Sequence, residues 1–409
     1  HRLMSPRRRS QLAWALNAWA NHAFSTSILV GFFPIFFARY WAKDLPGGTS
    51  TFYLGLANSA GGLVVMLLAP WLGALADLHA SKKRYLGLFT VLGVAASAAL
   101  ALVGPGQWLL ASALFALGSI GFFTSYSFAD ALLVQVSEPQ ESDHVSAFGF
   151  ALGYLGGGIL FLLDVLMVLY PQRFGLPDAA TATRVAFVSV ALWWAVFCLP
   201  LFRWVPEGAP ADKAAGWREL LQTMREVLAN KPVLQFLIAY WLYIDAIGTL
   251  QQMAADFGAK LGFSTNTLIT ALLMVQFISF PAAWAFGPLA KRIGTRRAIY
   301  LGLFVFSGVS VWAYFMQTER QFYEMAVAVA LVQGGVQALS RSYFSRLIPP
   351  GRAGEYFGFY NMLGKFAAVL GPLVVGVVAL LTGNPHLSIL VLILFFIAGA
   401  TLLSRVREV

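Results

Sequence analysis

Long uncharged apolar runs, separated by short polar breaks, constrain the fold of this chain more than any other feature of its sequence. Two of them extend from Val185 to Phe202 and from Leu387 to Leu403. A helix needs roughly 20 apolar residues to cross a bilayer, in which only helices and closed barrels satisfy their backbone hydrogen bonds. A barrel would show segments of about 10 residues with alternating polarity, which these runs lack. The sequence therefore predicts an all-α polytopic membrane protein.

Composition excludes several classes of protein. Only 11% of the residues are charged, against about a quarter in a soluble domain. The net charge of +10 comes from short basic clusters between apolar runs, which indicates membrane topology and no nucleic-acid partner. A single cysteine, Cys198, and scattered histidines exclude disulfides within the chain and Cys-based or His-motif metal sites. Without a nucleophile–base pair or a phosphate-binding loop, we predict no enzyme, no ATP site and no cofactor.

Breaks at Gly, Pro and charged residues divide the sequence into twelve predicted spans. They lie at residues 11–39, 52–76, 85–103, 108–135, 146–169, 185–203, 233–256, 265–289, 298–316, 323–346, 355–381 and 386–404. The predicted organisation is a cytoplasmic segment 1–10, a bundle 11–203, a linker 204–231, a bundle 232–404 and a tail 405–409. Apolar residues recur at helical spacing in the linker, which predicts a helix on the membrane surface. A regulatory partner site is the alternative interpretation of that helix.

Basic residues orient the predicted spans. With both termini in the cytoplasm, the inner segments hold 21 of the 28 Lys and Arg residues and the outer segments hold 6. Cytoplasmic loops carry such an excess in membrane proteins. The compact loops favour a bacterial inner membrane over a vacuole, and we expect a monomer embedded in the lipid bilayer.

Two short sequence motifs occur once in each half of the chain, and we call these recurrences echoes. Gly73-Ala-Leu-Ala, followed by a basic cluster, recurs as Gly287-Pro-Leu-Ala at an offset of 214 residues. Phe148-Gly-Phe recurs as Phe357-Gly-Phe at an offset of 209. Two echoes at nearly one offset predict two pseudo-symmetric six-helix bundles. In such repeats the substrate site lies between the halves, near the bilayer midplane.

The first echo also carries a family resemblance. The run from Gly73 through Asp77 to the basic residues Lys82, Lys83 and Arg84 resembles the signature between spans two and three of the major facilitator superfamily. The family's usual glycine after the Asp is absent, with Ala80 or Ser81 in its place, and Lys291 occupies the position of Asp77 in the second half. The resemblance implies that these residues form a charge latch of the outward-open state.

Four further segments are similar to the vacuolar amino-acid effluxer-like branch of that superfamily. They are Trp19–Ser25, Gly153–Gly158, Tyr240–Asp245, and Ser340–Ser345 with the following Gly354–Gly358. The resemblance extends from about Asn17 to Lys365. It implies the twelve-helix major facilitator fold and secondary transport, with amino-acid export as one candidate activity.

Charged residues inside the predicted spans are the first candidates for transport chemistry. A charge at mid-helix costs about 2.5 to 3.5 kcal/mol on insertion scales, so it needs a partner or a water-filled cavity. Asp245 lies half-way along span seven and Lys365 half-way along span eleven, and they could pair. Lys365 would then bind a substrate carboxylate, while Asp245 binds an ammonium group or carries the coupling proton. A permanent buried pair that fixes helix packing is the alternative.

A second carboxyl group, Asp164 in span five, is a further candidate proton carrier. An interface carboxylate with ordinary solvation is its alternative. Asp130 near the inner end of span four and Arg341 near the inner end of span ten are assigned to gating.

Polar side chains recur along one face of two spans. In span one, Asn17, Asn21 and Ser25 lie at i, i+4 and i+8, and span ten carries Gln333 and Gln337 at i and i+4. A polar stripe facing lipid would leave hydrogen-bonding groups unsatisfied, so both stripes favour a cavity wall. Hydrogen bonding between packed helices is the alternative.

Aromatic and amide side chains complete the predicted substrate site. Tyr360 and Asn361 lie about one turn before Lys365, and the Tyr360 hydroxyl could orient a polar solute. Tyr240 belongs to the same family-like segment as Asp245. Secondary candidates lie towards the outer end of span seven: Gln251 and Gln252.

These features together predict a secondary active transporter that works by alternating access. We expect a small polar or zwitterionic, amino-acid-like solute, coupling to protons, and export as the candidate direction. Transport of another solute, such as a metal chelate or a short peptide, is the alternative. A membrane sensor that keeps the transporter fold without moving solute is the alternative from another class.

Overall fold

The computed structural model describes residues 4–211 and 216–407. Residues 1–3, 212–215 and 408–409, which belong to the predicted terminal segment, linker and tail, lie outside the described residues. The described chain forms twelve long helices with the following bounds: α1 Pro6–Trp41, α2 Gly47–His79, α3 Lys82–Leu100, α4 Trp108–Val136, α5 Ser142–Leu169, α6 Ala179–Trp204, α7 Lys231–Lys260, α8 Thr265–Ile293, α9 Thr295–Phe315, α10 Glu319–Ser345, α11 Ala353–Thr382 and α12 Pro385–Ser404.

Eleven of these twelve helices are long and apolar enough to cross a membrane, and α12 is an apolar helix of 20 residues. The predicted all-α architecture is confirmed, and each predicted span coincides with one helix. Most helices extend several residues beyond the apolar run, because capping residues lie in the polar breaks. Asp178 and Ser264 accept the backbone N–H of Thr181 and Thr267 at the starts of α6 and α8.

The end of α2 accounts for the glycine that is missing from the family-like signature. Ala80 follows the last residue of α2 and has φ 48° and ψ 50°, the left-handed conformation of a helix C-cap. Glycine is the usual residue there, because a Cβ in this conformation meets the backbone. Alanine therefore holds a strained position at the signature turn.

Helix α1 departs from regular α-helical geometry. It is α-helical from Pro6 to Ala23 and has wide π-helical turns at Phe24–Phe32 and Phe37–Trp41. Gly31 lies in the first π-helical segment, where a Cβ would come within 2.7 Å of the Phe161 ring of α5. Wide turns of this kind are frequent at functional sites.

Two groups of six helices pack along a shared seam, in which α2 contacts α11 and α5 contacts α8. The echoed glycines occupy related places in this seam. A Cβ on Gly73 of α2 would overlap the backbone of Gly354, at the start of α11. A Cβ on Gly287 of α8 would lie 3.0 Å from His144, at the start of α5. The repeat therefore places a glycine at both of these contacts between the halves.

A separate helix, Trp217–Ala229, lies in the connection between the halves, and we call it the linker helix. Its apolar residues divide into two faces. Leu220 and Val227 are buried against the protein. The exposed face carries the larger set: Trp217, Leu221, Met224 and Leu228. An exposed apolar face suits the predicted position on a membrane surface, which stays a prediction.

Candidate functional site

The first and last described residues, the linker helix and the loop between α10 and α11 lie at one end of the helix bundle, which we call the termini face. The start of α1 contacts the end of α6 here, where the Ser10 hydroxyl donates to the Trp204 carbonyl at 2.7 Å. Three groups of polar contacts join the two halves at this face. They form the closed seam.

The first group is a helix cap supplied by the opposite half. The Asp77 carboxylate, near the end of α2, accepts the backbone N–H groups of Gly354 and Glu355, each at 2.9 Å. Those N–H groups belong to the first turn of α11, where intrahelical partners are lacking and the helix dipole favours an anion. Asp77 is also 3.2 Å from the Lys82 ammonium group, and both side chains are buried. Asp77 therefore caps α11 across the seam.

The three basic residues of the signature have different positions. Lys82 pairs with Asp77. Lys83 donates to the carbonyl groups of Phe202 and Val205 in its own half, at 3.0 and 2.8 Å. Arg84 is exposed. Of these three basic residues, Lys82 alone contacts Asp77 in this structure, and the latch that the resemblance implies stays a prediction.

Glycines permit the close approach that this cap requires. A Cβ on Gly354 would lie 2.7 Å from both the Asp77 carboxylate and the Gly73 carbonyl oxygen. One turn further along α11, a Cβ on Gly358 would lie 2.6 Å from the Ala69 carbonyl oxygen. Small residues spaced four apart allow two helix backbones to touch in this way.

The second group is centred on Arg341 of α10, a buried arginine. Its guanidinium donates to Asp130 of α4 at 2.9 Å and to the hydroxyl and carbonyl oxygens of Ser146 of α5 at 2.9 and 3.0 Å. It also lies over the rings of Trp14 and Phe150, 4.8 and 4.4 Å from their centroids. Planar geometry and several fixed donors suit arginine, rather than lysine, to such a position.

Asn361 of α11 extends this group. Its amide donates to the second oxygen of Asp130 at 3.2 Å. The structure thus brings the two predicted gating residues, Asp130 and Arg341, into direct contact. It places Asn361, predicted to bind substrate, in the same contact.

The third group was absent from the sequence prediction. Arg346, which follows the last residue of α10, donates to Ser142 and Asp143 of α5 and to Thr295 of α9, at 2.7, 3.0 and 2.9 Å. The Ser142 and Ser342 hydroxyls lie 2.7 Å apart across the seam. Arg346 and Ser342 lie at the inner end of predicted span ten, and Ser142 and Asp143 precede predicted span five, so a search for charges in the middle of spans does not find them.

A cavity of about 280 Å³ lies in the second half, between α7, α10 and α11. Its polar lining includes two predicted substrate-binding residues, Asp245 and Gln337, and the secondary candidates Gln251 and Gln252. The Gln337 amide donates at 3.3 Å to the Tyr154 hydroxyl of α5, which ties the cavity wall to the first half. The cavity is the size expected for a small solute.

The predicted pairing of Asp245 with Lys365 is not formed in this structure. Asp245 accepts a hydrogen bond from the Thr249 hydroxyl at 3.3 Å and packs against the α11 backbone at Gly371. The Lys365 ammonium group instead lies over the face of Phe123 in α4. The two side chains leave their helices in different directions, so Lys365 contacts the opposite half and Asp245 faces the cavity.

The remaining predicted residues of the second half lie behind the cavity wall. Gln333 is buried, donates to Ser279 at 3.1 Å and accepts from Gln251 at 2.9 Å, so it holds a lining glutamine in place. Tyr240 and Tyr360 stack on each other with ring centroids 4.3 Å apart. We place these two tyrosines in the core that supports the cavity.

The predicted residues of the first half lie apart from the cavity. Asn17 and Asn21 are buried on α1, and their side-chain oxygens have no hydrogen-bond partner among the described residues. Ser25 is half-buried at the start of the π-helical turns. Asp164 is buried between α5 and α6, where the Ser189 hydroxyl lies 2.9 and 3.1 Å from its two oxygens. The structure therefore does not bring Asp164 and Asp245 together.

A buried histidine in the first half was not among the predicted residues. His22 of α1 lies among the rings of Tyr126, Phe150 and Tyr154, with centroids 5.7 to 6.4 Å away. A Cβ on Gly153 would lie 2.6 Å from its Nε2 atom. The family-like segments from Trp19 and from Gly153 thus meet at this ring. Within the described ranges, no group of three His, Cys, Asp or Glu side chains could hold a metal ion.

Comparisons with known proteins agree with this geometry. Residues 48–408 match the sequence profile of the family described as vacuole effluxer Atg22 like. The chain is 35% identical over 407 residues to the MFS-type transporter YxiO of Bacillus subtilis, covering 98% of this chain and 95% of that protein. It is 23% identical over 270 residues to autophagy-related protein 22-2 of Aspergillus clavatus, covering 58% of this chain and 43% of that protein. Its fold matches the human organic anion transporter MFSD10 with a TM-score of 0.77 at 17% identity, over 98% of this chain and 100% of that one.

Proposed function

Because the chain belongs to the Atg22-like family of the major facilitator superfamily, we propose that it carries a small polar or zwitterionic, amino-acid-like solute across the membrane by alternating access. It is a transporter and not an enzyme. The observation that carries the proposal is the cavity of about 280 Å³ at Asp245, beside a seam that is closed at one face. A small site next to a closed gate is what one state of an alternating-access cycle requires.

The closed seam supplies the gate of this proposal. For solute to leave towards the termini face, α11 must move away from Asp77, and Arg341 must leave Asp130 and Ser146. These contacts are local and polar, so water can replace each of them when the halves separate. The rest of each half can then move as a rigid body.

Proton coupling is part of the proposal. Asp245 and Asp164 are carboxyl groups buried within the spans, and intramembrane carboxyl groups mark proton pathways in many transporters. Asp245 lines the cavity and is the candidate that can exchange its proton with the site.

The charge bias of the loops supports a cytoplasmic termini face in a bacterial inner membrane. With that orientation, uptake of protons drives export of solute. We propose a monomer as the working unit, because each cavity is formed within one chain.

The test is exchange of labelled amino acids in proteoliposomes, with and without a pH gradient. The native chain is compared with Asp245→Asn and with Asp44→Asn, which removes an exposed carboxylate far from the cavity. We expect counterflow and gradient-driven movement in the native chain and in Asp44→Asn, and loss of both in Asp245→Asn.

Absence of any exchange by well-folded protein would refute the amino-acid proposal. Exchange of a chelate or a peptide in its place would identify the alternative solute. Binding without exchange would support a sensor.

A further inference from the structure

Asp245 is a buried carboxylate that faces a cavity and has no basic partner among the described residues. Its side chain is 8% exposed, and the Thr249 hydroxyl donates to it at 3.3 Å. A Cβ on Gly371 would overlap both Asp245 and Thr249, so the α11 backbone closes one side of the carboxylate. The backbone N–H of Gly371 also donates to this carboxylate. A buried charge whose donors are neutral is unstable unless a cation or a proton neutralises it.

The cavity lining supplies no such cation. Among the described residues that line it, Asp245 is the one charged residue, and no Lys, Arg or His is present. The other polar lining residues are Thr249, Gln251, Gln252 and Gln337. The rest of the lining is aliphatic or glycine: Ile244, Ile247, Gly248, Gly364, Ala367 and Ala368.

Helices α10, α11 and α12 pack against α7, which carries Asp245. On α10 the groups nearest the cavity are the amides of Gln333 and Gln337. On α11 the basic residue is Lys365, which lies over Phe123 in the opposite half. On α12 the one titratable residue is His386 at the start of the helix, and its side chain lies outside the described residues. Among the residues that the structure describes, none supplies a counter-charge to Asp245, and a cation from outside the chain would fill this role.

We propose that Asp245 binds either a proton or the protonated amino group of the solute, one at a time, and that the site recognises amine cations whether or not they carry a carboxylate. This inference rests on the proposed transport function and narrows its substrate class. An ammonium group has three donors, and the carboxylate with the amide oxygens of Gln251, Gln252 and Gln337 can accept them. A solute carboxylate would meet only amide N–H groups and no cation among the described lining residues, so it contributes less to the free energy of binding than the ammonium group does.

The coupling ratio follows from this competition. When an amine cation enters the protonated site, one proton leaves Asp245, and the charge of the site is unchanged. Exchange of one amine cation for one proton across the membrane therefore moves no net charge. Transport of a zwitterion against one proton would move one charge, so the two cases differ in their response to membrane potential.

The first experiment is competition in proteoliposomes that contain the full chain. Three unlabelled mixtures compete against labelled amino acids: the same amino acids, their amides, and their N-acetyl derivatives. The amides keep the amine without the carboxylate, and the N-acetyl derivatives keep the carboxylate without the amine. We expect the amides to compete at least as well as the amino acids, and the N-acetyl derivatives to compete at least tenfold more weakly.

The second experiment counts protons. Calorimetric titration of the purified protein with the best amide, in buffers of different ionisation enthalpy, measures protons released per ligand bound. We expect this number to approach one as the pH is lowered, with an apparent affinity that falls tenfold per pH unit. Asp245→Asn should abolish amide binding, and Asp245→Glu should retain it. Lys365→Gln should leave binding and proton release within a factor of about three of the native values.

The outcomes separate this inference from the proposed function. Equal competition by N-acetyl derivatives, or binding lost in Lys365→Gln and kept in Asp245→Asn, would overturn the inference and leave amino-acid transport in place. Exchange of amides without exchange of amino acids would keep the inference and remove the amino-acid proposal. If a clamped membrane potential changes the rate of amide-for-proton exchange, the shared-site coupling is wrong.

Discussion

Asp77→Asn is the sharpest test of the closed seam. The substitution is nearly isosteric and keeps one oxygen that can accept a hydrogen bond from the first turn of α11. It removes the charge that faces the buried Lys82 ammonium group at 3.2 Å. The closed state then holds an uncompensated buried cation. When the seam opens, water reaches this position and the penalty disappears.

The magnitude can be estimated from these contacts. Removing one partner of a buried ion pair costs about 3 to 5 kcal/mol, and loss of a helix cap costs about 1 kcal/mol. Because Asn keeps part of the cap, the ion pair dominates. We take about 3 kcal/mol as the change in the free-energy difference between closed and open states. At about 1.4 kcal/mol per factor of ten, the closed population should fall on the order of 100-fold relative to the open one.

Distance measurements by electron spin resonance report this shift directly. Labels at Arg84→Cys and Arg297→Cys, exposed positions at the starts of α3 and α9, span the termini face in a Cys198→Ser background. We expect a longer distance to become dominant in Asp77→Asn. Adding Lys82→Met removes the unpaired cation and should restore most of the short distance.

Asp178→Asn is the matched control for this experiment. Asp178 also caps a helix, accepting the Thr181 N–H at 2.8 Å, but it lies at the opposite face and outside the seam. Its replacement should leave the distance unchanged. If Asp77→Asn leaves the distance distribution as in the native chain, or if Asp178→Asn shifts it equally, then Asp77 does not hold the seam closed.

Three further predictions follow from the same contacts. Gly354→Ala should shift the labelled distance towards the open state, because its Cβ would lie 2.7 Å from the Asp77 carboxylate, whereas Gly308→Ala, with no atom within 4 Å, should not. Arg341→Lys should lower the unfolding temperature and reduce counterflow, because a buried multidentate contact is lost at a cost of about 3 kcal/mol. If the unfolding temperature and counterflow are both unchanged, Arg341 does not hold the two halves together. Ala80→Gly should raise thermal stability by about 0.5 to 1 kcal/mol by relieving the left-handed backbone, measured by thermal unfolding, and a lower stability would refute the strain.

The sequence was sufficient for the fold because hydrophobic length is a local property. Twelve apolar runs of spanning length give twelve helices, whatever their neighbours are. The repeat of two six-helix bundles could also be recognised in the sequence, because Gly73 and Gly287 meet the same steric requirement at related places in the seam. Asp130 and Arg341 were predicted separately as gating residues, because charges are rare inside spans, and the structure shows that they pair with each other.

The site was less predictable because it depends on the direction of each side chain. Asp245 and Lys365 lie at similar depths on neighbouring helices, and depth alone suggested a pair. Whether they meet depends on how α7 and α11 are rotated about their axes. Those rotations are set by contacts such as Gly371 against Asp245 and Gly358 against α2, which involve residues far apart in sequence. The spacing of residues along a single sequence does not show which distant residues come into contact, so it does not predict how the helices are rotated.

The separation of these two charges changes how the chemistry of the transporter should be understood. A carboxylate paired permanently with a lysine would need that pair to break at every cycle, and both charges would have to be neutralised again within the membrane. A carboxylate that faces a cavity alone needs only to exchange one monovalent cation for another. Lys365, lying over Phe123 of the opposite half, is then free to contribute to the contact between the halves. Solute recognition and closure of the seam would thus depend on different charges, so substitution of either one can be interpreted without the other.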